Sequence, residues 1–199
     1  MEFIFASGNA HKAEELGLLF KGSSFNIISA PESISVAETA NNLYGNAEIK
    51  AQAYFQKYKR PTVADDSGLF VDALPDELGV MTARFGGETL TPLQRCELLV
   101  KRLEHEINRN AYFMCVLCFI VSPCEIFFFE GRLNGFIGKQ IIGDQGFGYD
   151  PVFYPNDLKD GPLGARSLAQ DVEYKMANSH RARAAGRARS FLTSFIARP

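Results

Sequence analysis

The sequence predicts a mixed α/β architecture built around a strongly twisted sheet, and three observations carry that expectation. Strand-like and helix-like apolar segments alternate from Phe3 to Ala64. Two long strand-like runs follow, Ala111 to Val121 and Glu125 to Phe136, with Ser122-Pro123 between them, the pattern of an antiparallel pair. A helical segment, Ser179 to Ala197, closes the chain. Early alternation followed by antiparallel strands places the chain in the mixed α/β class. At 199 residues and 46% hydrophobic content it can build one domain with a sizeable core, or two closely packed lobes.

Element by element, Phe3 to Ala6 reads as a short buried strand. Ser7-Gly8-Asn9 then interrupts it, and either Ser7 or Asn9 suits the N-cap of the helix that follows. Ala13, Leu16, Leu19 and Phe20 recur at helical spacing and give that helix one apolar face. Phe25 to Ser29 reads as a second strand and Ser33 to Asn42 as polar loop. Gly45 to Tyr58 suits a helix with Ala47, Ala51, Tyr54, Phe55 and Tyr58 inward. Pro61 to Ala64 is a strand that ends in Asp65-Asp66-Ser67-Gly68, with Leu69 to Ala73 again extended and Leu74 to Gly87 irregular. Thr91 caps a helix reaching Ile107, with Pro92 in its first turn and Leu98, Leu99 and Leu103 inward. Gly143 to Gly148 is a glycine-rich loop, and the last helix turns Ala184, Ala188, Phe191 and Phe195 inward. There is no evident repeat, low-complexity tract or linker. If the chain forms two lobes, the groove between them is the natural ligand site.

Charge narrows the partners. Lys and Arg total 21 against 23 Asp and Glu, so no basic excess points to nucleic acid, and a phosphate ligand needs a local cluster of cations. The apolar start Met1 to Ala6 is short and lacks the basic flank of a signal peptide. The run Ala111 to Val121 falls short of the ~20 residues that span a bilayer. The expectation is a cytoplasmic protein with no membrane partner. Cys115 and Cys118 form a C-x-x-C, but positions three apart on a strand face opposite sides and no helix N-terminus lies near to lower a thiol pKa. They read as small buried hydrophobes, with redox chemistry a remote alternative.

Four segments carry chemistry. Ser7-Gly8-Asn9-Ala10-His11-Lys12 joins a strand to a helix, and such turns offer backbone N–H groups and a helix N-terminus to phosphate, with Lys12 adding charge. The plainer alternative is an ordinary turn with a capping Asn and a solvated Lys. Asp65-Asp66-Ser67-Gly68 sets two carboxylates side by side within an apolar context. Burying both costs several kcal/mol without compensation. A hard cation supplies that compensation, and a carboxylate beside it can take a proton from water. The alternative is an acidic turn. Gly146-Phe147-Gly148-Tyr149-Asp150-Pro151 sets an aromatic between glycines, which suits stacking on a base or, alternatively, a bulge at a sheet edge. Lys175 and Ser179-His180-Arg181 form the fourth. Ser179 reads as an N-cap, and cations in a first helical turn oppose the helix dipole, which makes sense if they meet a ligand. Arg183, Arg187 and Arg189 read as a solvated face, and His11 and His105 as surface residues.

Taken together, the chain resembles the ITP/XTP pyrophosphatase family, the Ham1-like or non-canonical purine nucleotide pyrophosphatases. The matching segments are Ser7-Gly8-Asn9 with Lys12, Asn46-Ala47 with Lys50-Ala51, and Ala64 to Leu69. Ala83-Arg84-Phe85, Gly146 to Pro151, and Lys175 with Ser179-His180-Arg181 complete the set. The resemblance implies an elongated two-lobed fold with a long twisted sheet and a central substrate groove. It implies one pyrophosphatase domain spanning the whole chain, residues 1–199, a homodimer, and Mg²⁺. It further implies hydrolysis of ITP, dITP or XTP to the monophosphate and pyrophosphate, which cleanses the nucleotide pool. Asp66 is then proton acceptor and metal ligand, and Ser67 touches substrate. Ser7, Gly8, Asn9, Ala10, His11 and Lys12 hold phosphates. Phe147, Gly148, Tyr149, Asp150, Lys175, His180 and Arg181 hold the base and neighbouring atoms. Donors from Arg181, Lys175 or backbone N–H suit a 6-keto purine and clash with the 6-amino group of adenine.

Two departures from the family pattern stand out. Gly45 occupies the position of a family glutamate that helps bind the metal, so Glu48 or Asp65 is expected to substitute. Otherwise the chain binds nucleotide with weakened or absent hydrolysis. Pro75-Asp76 replaces a glycine pair. A pyrophosphatase for pyrimidine or methylated nucleotides is the remaining alternative.

Overall fold

The computed structural model describes residues 1–158 and 164–197. In chain order its main elements are β1 (Glu2–Phe5), α1 (Ala10–Leu19), β2 (Asn26–Ser29), α2 (Leu43–Tyr58), β3 (Thr62–Val71), α3 (Pro92–Arg102), β4 (Asn110–Ser122), β5 (Glu125–Ile137), β6 (Phe153–Pro155), α4 (Val172–Asn178) and α5 (His180–Ile196). Among the described residues the strands form one mixed sheet in the order β2-β1-β3-β4-β5-β6. β1 runs parallel to β2 and β3, whereas β6 is antiparallel to β5. Only Pro123 and Cys124 separate β4 from β5, a connection short enough only for an antiparallel hairpin. Among the described residues no helix is long and apolar enough to cross a membrane.

The chain divides into two compact units. The first comprises Met1–Ser67, Cys115–Gly131 and the C-terminal segment from His180; the second comprises Gly68–Met114 and Arg132–Ser179. The first unit is held by aromatic packing. Phe3, Phe25 and Phe119 meet edge to face, with Phe3 5.4 Å from Phe25 and 5.1 Å from Phe119. Leu16 and Phe20 of the α1 segment and Ala184, Ala185, Ala188 and Leu192 of α5 close over them. Phe191 departs from the expectation: it is 41% exposed, and Leu192, one helical turn on from Ala188, takes the inward place. Its ring rests on Phe127, Phe129 and Phe195 instead. Gly131 on β5 lets α5 come close, because a Cβ there would strike the His180 carbonyl and the Ala184 amide.

In the second unit Leu69, Val71, Leu99, Leu103, Phe113, Leu133, Ile137 and Phe153 form the core. Thr91 and Gln94 close a full capping box at the start of α3. The helix stops at Arg102, short of the expected Ile107. Leu103 caps it, Glu104 N–H bonds the Lys101 carbonyl, and the Arg109 guanidinium takes the carbonyls of Leu103, Ile137 and Gly138. Arg109 thus supplies a donor to the Leu103 carbonyl, which a longer helix would have satisfied itself, and ties it to the end of β5. Ile107 is left fully exposed.

Asp65-Asp66-Ser67-Gly68 does not end a strand or form a turn, as the sequence suggested. It lies inside β3, which runs unbroken from Thr62 to Val71. Successive side chains on a strand point to opposite faces, so each carboxylate meets its own set of cations without the strand breaking.

Candidate active site

In the first unit, β1 leads into a turn built by its own side chains. Ser7 Oγ accepts from Asn9 N–H at 3.1 Å, and Asn9 Oδ1 accepts from Lys12 N–H at 3.2 Å. Asn9 rather than Ser7 is therefore the N-cap of α1. Gly8 sits close to Ser33, whose Oγ would lie 3.0 Å from an added Cβ. Ala10 opens the helix and His11 is exposed. The Lys12 ammonium is not the solvated charge of the plainer reading: it is directed at Asp65.

Asp65 is fully enclosed. Its Oδ1 accepts from Lys12 Nζ and from Ser67 Oγ at 3.2 Å; its Oδ2 accepts from Arg181 Nε at 2.9 Å and Cys115 Sγ at 3.0 Å. Arg181, equally buried, gives its other groups to Glu15 (2.6 Å) and Ser67 Oγ (3.2 Å). Burial alone would raise the Asp65 pKa, but Arg181 and Lys12 outweigh it and hold the carboxyl well below its ordinary value. The compensation expected from a cation thus comes, for Asp65, from the protein itself. The same pairing offsets the unfavourable placement of Arg181 in the first turn of α5.

Asp66 is arranged differently. Its Oδ1 accepts from Lys50 Nζ at 2.7 Å, and the same ammonium donates to Glu38 Oε1 at 2.9 Å. Here burial prevails over Lys50 and Lys12, and Glu38 adds to it, so the Asp66 pKa is raised. Two adjacent carboxylates are pushed in opposite directions, one kept anionic and the other made a better proton acceptor. His180, 5% exposed, begins α5 beside Arg181.

In the second unit Gly146 to Asp150 is a turn, not a bulge in a strand. Phe147 N–H and Lys175 Nζ both donate to Asp150 Oδ2, at 2.8 and 2.7 Å. The Lys175 ammonium also lies 4.4 Å from the Phe147 ring centroid, a cation–π distance. Gly146, at φ 77°, is required because a Cβ would strike the Asp150 carboxylate. Cys96 Sγ donates to the Gly148 carbonyl at 3.3 Å, and the buried Tyr149 hydroxyl donates to the Thr82 carbonyl at 2.9 Å.

The Ham1 family profile matches residues 3–191. The chain belongs to the Ham1 family. It is 38% identical to a protein of Thermoanaerobacter pseudethanolicus named dITP/XTP pyrophosphatase, over 96% of each chain. It is 37% identical to a protein of the same name from Flavobacterium psychrophilum, over 92% of this chain and 95% of that one. The structure of the Ham1 protein of Staphylococcus aureus superimposes with a TM-score of 0.85 at 32% identity, covering 98% of this chain and 100% of that one. These likenesses also bear out the mixed α/β fold.

In this Ham1 chain, Ser7, Asn9, Lys12, Asp65, Asp66, Ser67 and Arg181 gather in the first unit, and Phe147, Gly148, Tyr149, Asp150 and Lys175 in the second. Sequence reasoning missed Glu15, Glu38 and Cys115 as partners. Lys50 stood in a matched segment without a role, whereas Glu38 is one acid in a polar loop and carries no local signal. Gly45 is the N3 residue of α2, its N–H bonded to Asn42 Oδ1 at 2.9 Å. Space there is taken by Ala40, whose Cβ would lie 2.5 Å from an added Cβ. The loop bearing Glu38 therefore closes where a side chain at 45 would stand. Neither expected substitute fills the gap. Glu48 accepts from Gln52 one helical turn on, and Asp65 is saturated by protein donors. The C-x-x-C is no redox pair: Cys115 and Cys118 are free and fully buried, and burial raises both thiol pKa values, that of Cys118 to about 12.

Proposed function

We propose that this chain hydrolyses non-canonical purine nucleoside triphosphates, of the dITP, ITP and XTP class, to the monophosphate and pyrophosphate. The observation that carries the reading is the arrangement of the adjacent acids: Asp65 is enclosed by Lys12 and Arg181, while Asp66 meets Lys50 and Glu38. Water attacks the α-phosphorus, the new P–O bond forms, and the bond to the β-phosphate oxygen breaks in line with it. Asp66 takes the proton of the attacking water. Lys12, Lys50 and Arg181 supply fixed positive charge, with Lys12 and the turn from Ser7 to His11 taking the phosphates. Asp65 stays anionic and keeps Lys12 and Arg181 in place. In this reading Ser67 and His180 also touch substrate, and Phe147 to Asp150 and Lys175 take the base.

Among the described residues no three acidic, histidine or cysteine side chains form a ready metal cage. The two carboxylates that share the Lys50 ammonium, Asp66 and Glu38, are the oxygen donors an Mg²⁺ ion uses, since it typically takes one or two protein carboxylates and completes its shell with phosphate oxygens and water. Asp66 would hold it, with Glu38 the neighbouring acid on the Lys50 ammonium. When bound, the ion supplies charge neutralisation at the phosphate oxygens. The same reading takes the chain to act as a homodimer in the cytoplasm.

The test is pyrophosphate release from dITP, XTP, ITP, dATP and dGTP in Mg²⁺. Release is expected from the first three, and Asp66→Asn should lower kcat by ~100-fold or more while nucleotide binding persists. Binding of dITP without pyrophosphate release would leave only a nucleotide-binding protein.

A further inference from the structure

We propose that Thr82 is a positioning residue that ties β3 to the turn bearing Phe147 and thereby sets discrimination between purine bases. The inference rests on the reading that this turn holds the base. Thr82 lies in a single 3-10 segment, Gly79–Arg84, within the second unit.

Its hydroxyl and its carbonyl are both committed. Thr82 Oγ1 accepts from Leu69 N–H at 2.9 Å. Its one proton goes to the Gly79 carbonyl at 2.6 Å, with the Leu69 carbonyl at 3.2 Å as the other acceptor in reach. Its carbonyl accepts from the Tyr149 hydroxyl at 2.9 Å. The pairing of β3 with β1 covers Thr62 and Val63, so Leu69 lies well past that ladder. The Thr82 hydroxyl stands in for a missing strand there and satisfies a buried backbone amide. Gly68 makes the approach possible, since a Cβ at that position would run into the Gly79 carbonyl. The glycine that ends the Asp65-Asp66-Ser67-Gly68 motif is thus explained by this contact.

On the other side, Tyr149 is buried and burial raises its pKa, so it remains a neutral donor. Its bond to Thr82 and the Cys96 bond to Gly148 hold the middle of the turn. A continuous path runs Leu69, Thr82, Tyr149, and then along the backbone to Phe147. Leu69 is two residues beyond Ser67 in the same strand. Discrimination between a keto and an amino purine depends on placing the base to within a fraction of an ångström, and displacement of that order can cost a large factor in rate. Thr82 acts on the base through Tyr149 and Phe147 and on β3 through Leu69.

The experiment measures kcat and KM for dITP and dATP in wild type, Thr82→Val, Thr82→Ser and Tyr149→Phe, with a melting temperature for each. Thr82→Val should lower the dITP-to-dATP ratio of kcat/KM by ~10-fold, Thr82→Ser should return it to near the wild-type value, and Tyr149→Phe should lower it in the same direction. If Thr82→Val does not fold, Tyr149→Phe decides, since it keeps Thr82 intact and removes only the hydroxyl. A wild-type ratio retained in Tyr149→Phe, or in a folded Thr82→Val, overturns the role of Thr82. A wild type that does not prefer dITP over dATP overturns the base-binding reading beneath it.

Discussion

The ionic cluster around Asp65 and the turn around Phe147 are built on opposite plans. Asp65 collects partners from positions 12, 67, 115 and 181, brought together by α1, β3, β4 and α5. The turn from Gly146 to Asp150 is wired mainly to itself, with Asp150 accepting the Phe147 amide three residues back and Lys175 added from α4. In the first region charge is fixed by elements far apart in the chain but within one unit. In the second, a backbone conformation is fixed locally and an aromatic ring is left half-buried on it. The difference teaches which side chains can be altered without disturbing the fold: those in the cluster cannot, and the ring of Phe147 can.

The largest test of that contrast is Asp65→Asn. The substitution leaves the buried Arg181 and the half-buried Lys12 with less opposing charge, and breaking a buried pair such as Arg181 with Asp65 typically costs about 3–5 kcal/mol. The pH dependence has a definite sign. The Asp65 pKa is depressed below its ordinary 3.8, so its contribution is present above that value and is lost as pH falls through the depressed one. Wild-type urea midpoints should therefore fall in the acid range, and Asp65→Asn should be lower at neutral pH with a shallower acid decline. Equal midpoints at neutral pH would mean that the cluster does not hold the unit together.

The contrast also explains what was legible in the sequence. The strands, the helices and the glycine-bracketed turn were readable because they follow from periodicity and neighbours in the chain. The capping role of Asn9 and the box of Thr91 with Gln94 are local in the same way. The partners of Asp65 were not readable, because nothing near Cys115 or Glu15 in sequence announces a carboxylate from β3. In sequence Asp65-Asp66 reads as the end of a strand, since two adjacent acids in an apolar stretch look like an interruption. Only the tertiary supply of Lys12, Lys50 and Arg181 lets the strand continue through them. Leu192 rather than Phe191 faces inward, a one-position difference from the sequence pattern, because alanines dominate the inner face of α5 and leave its phase weakly marked.

Phe147→Ala tests the other region. The amide of residue 147 keeps its bond to Asp150, so the melting temperature should stay near wild type. Loss of a stacking platform worth ~1–3 kcal/mol should raise KM for dITP by roughly ten-fold, with a smaller change in kcat. A large fall in melting temperature with KM unchanged would make the ring a structural element and erase the contrast.

The smallest effect separates the two acids near the vacant carboxylate at position 45. Glu48 makes an i, i+4 contact with Gln52 at 2.8 Å, worth a few tenths of a kcal/mol on a helix surface. Glu38 shares the Lys50 ammonium with Asp66 and adds to the upward shift of the Asp66 pKa. Glu48→Ala should then leave turnover of dITP within about two-fold of wild type, because a surface helix contact of that size does not reach Asp66. Glu38→Gln should lower turnover and move the acid limb of kcat to lower pH, since one influence raising the Asp66 pKa is gone. Turnover profiles against pH for both variants decide the matter. A strong loss in Glu48→Ala with none in Glu38→Gln would transfer the role to the helix and leave the Lys50 bridge a purely structural contact.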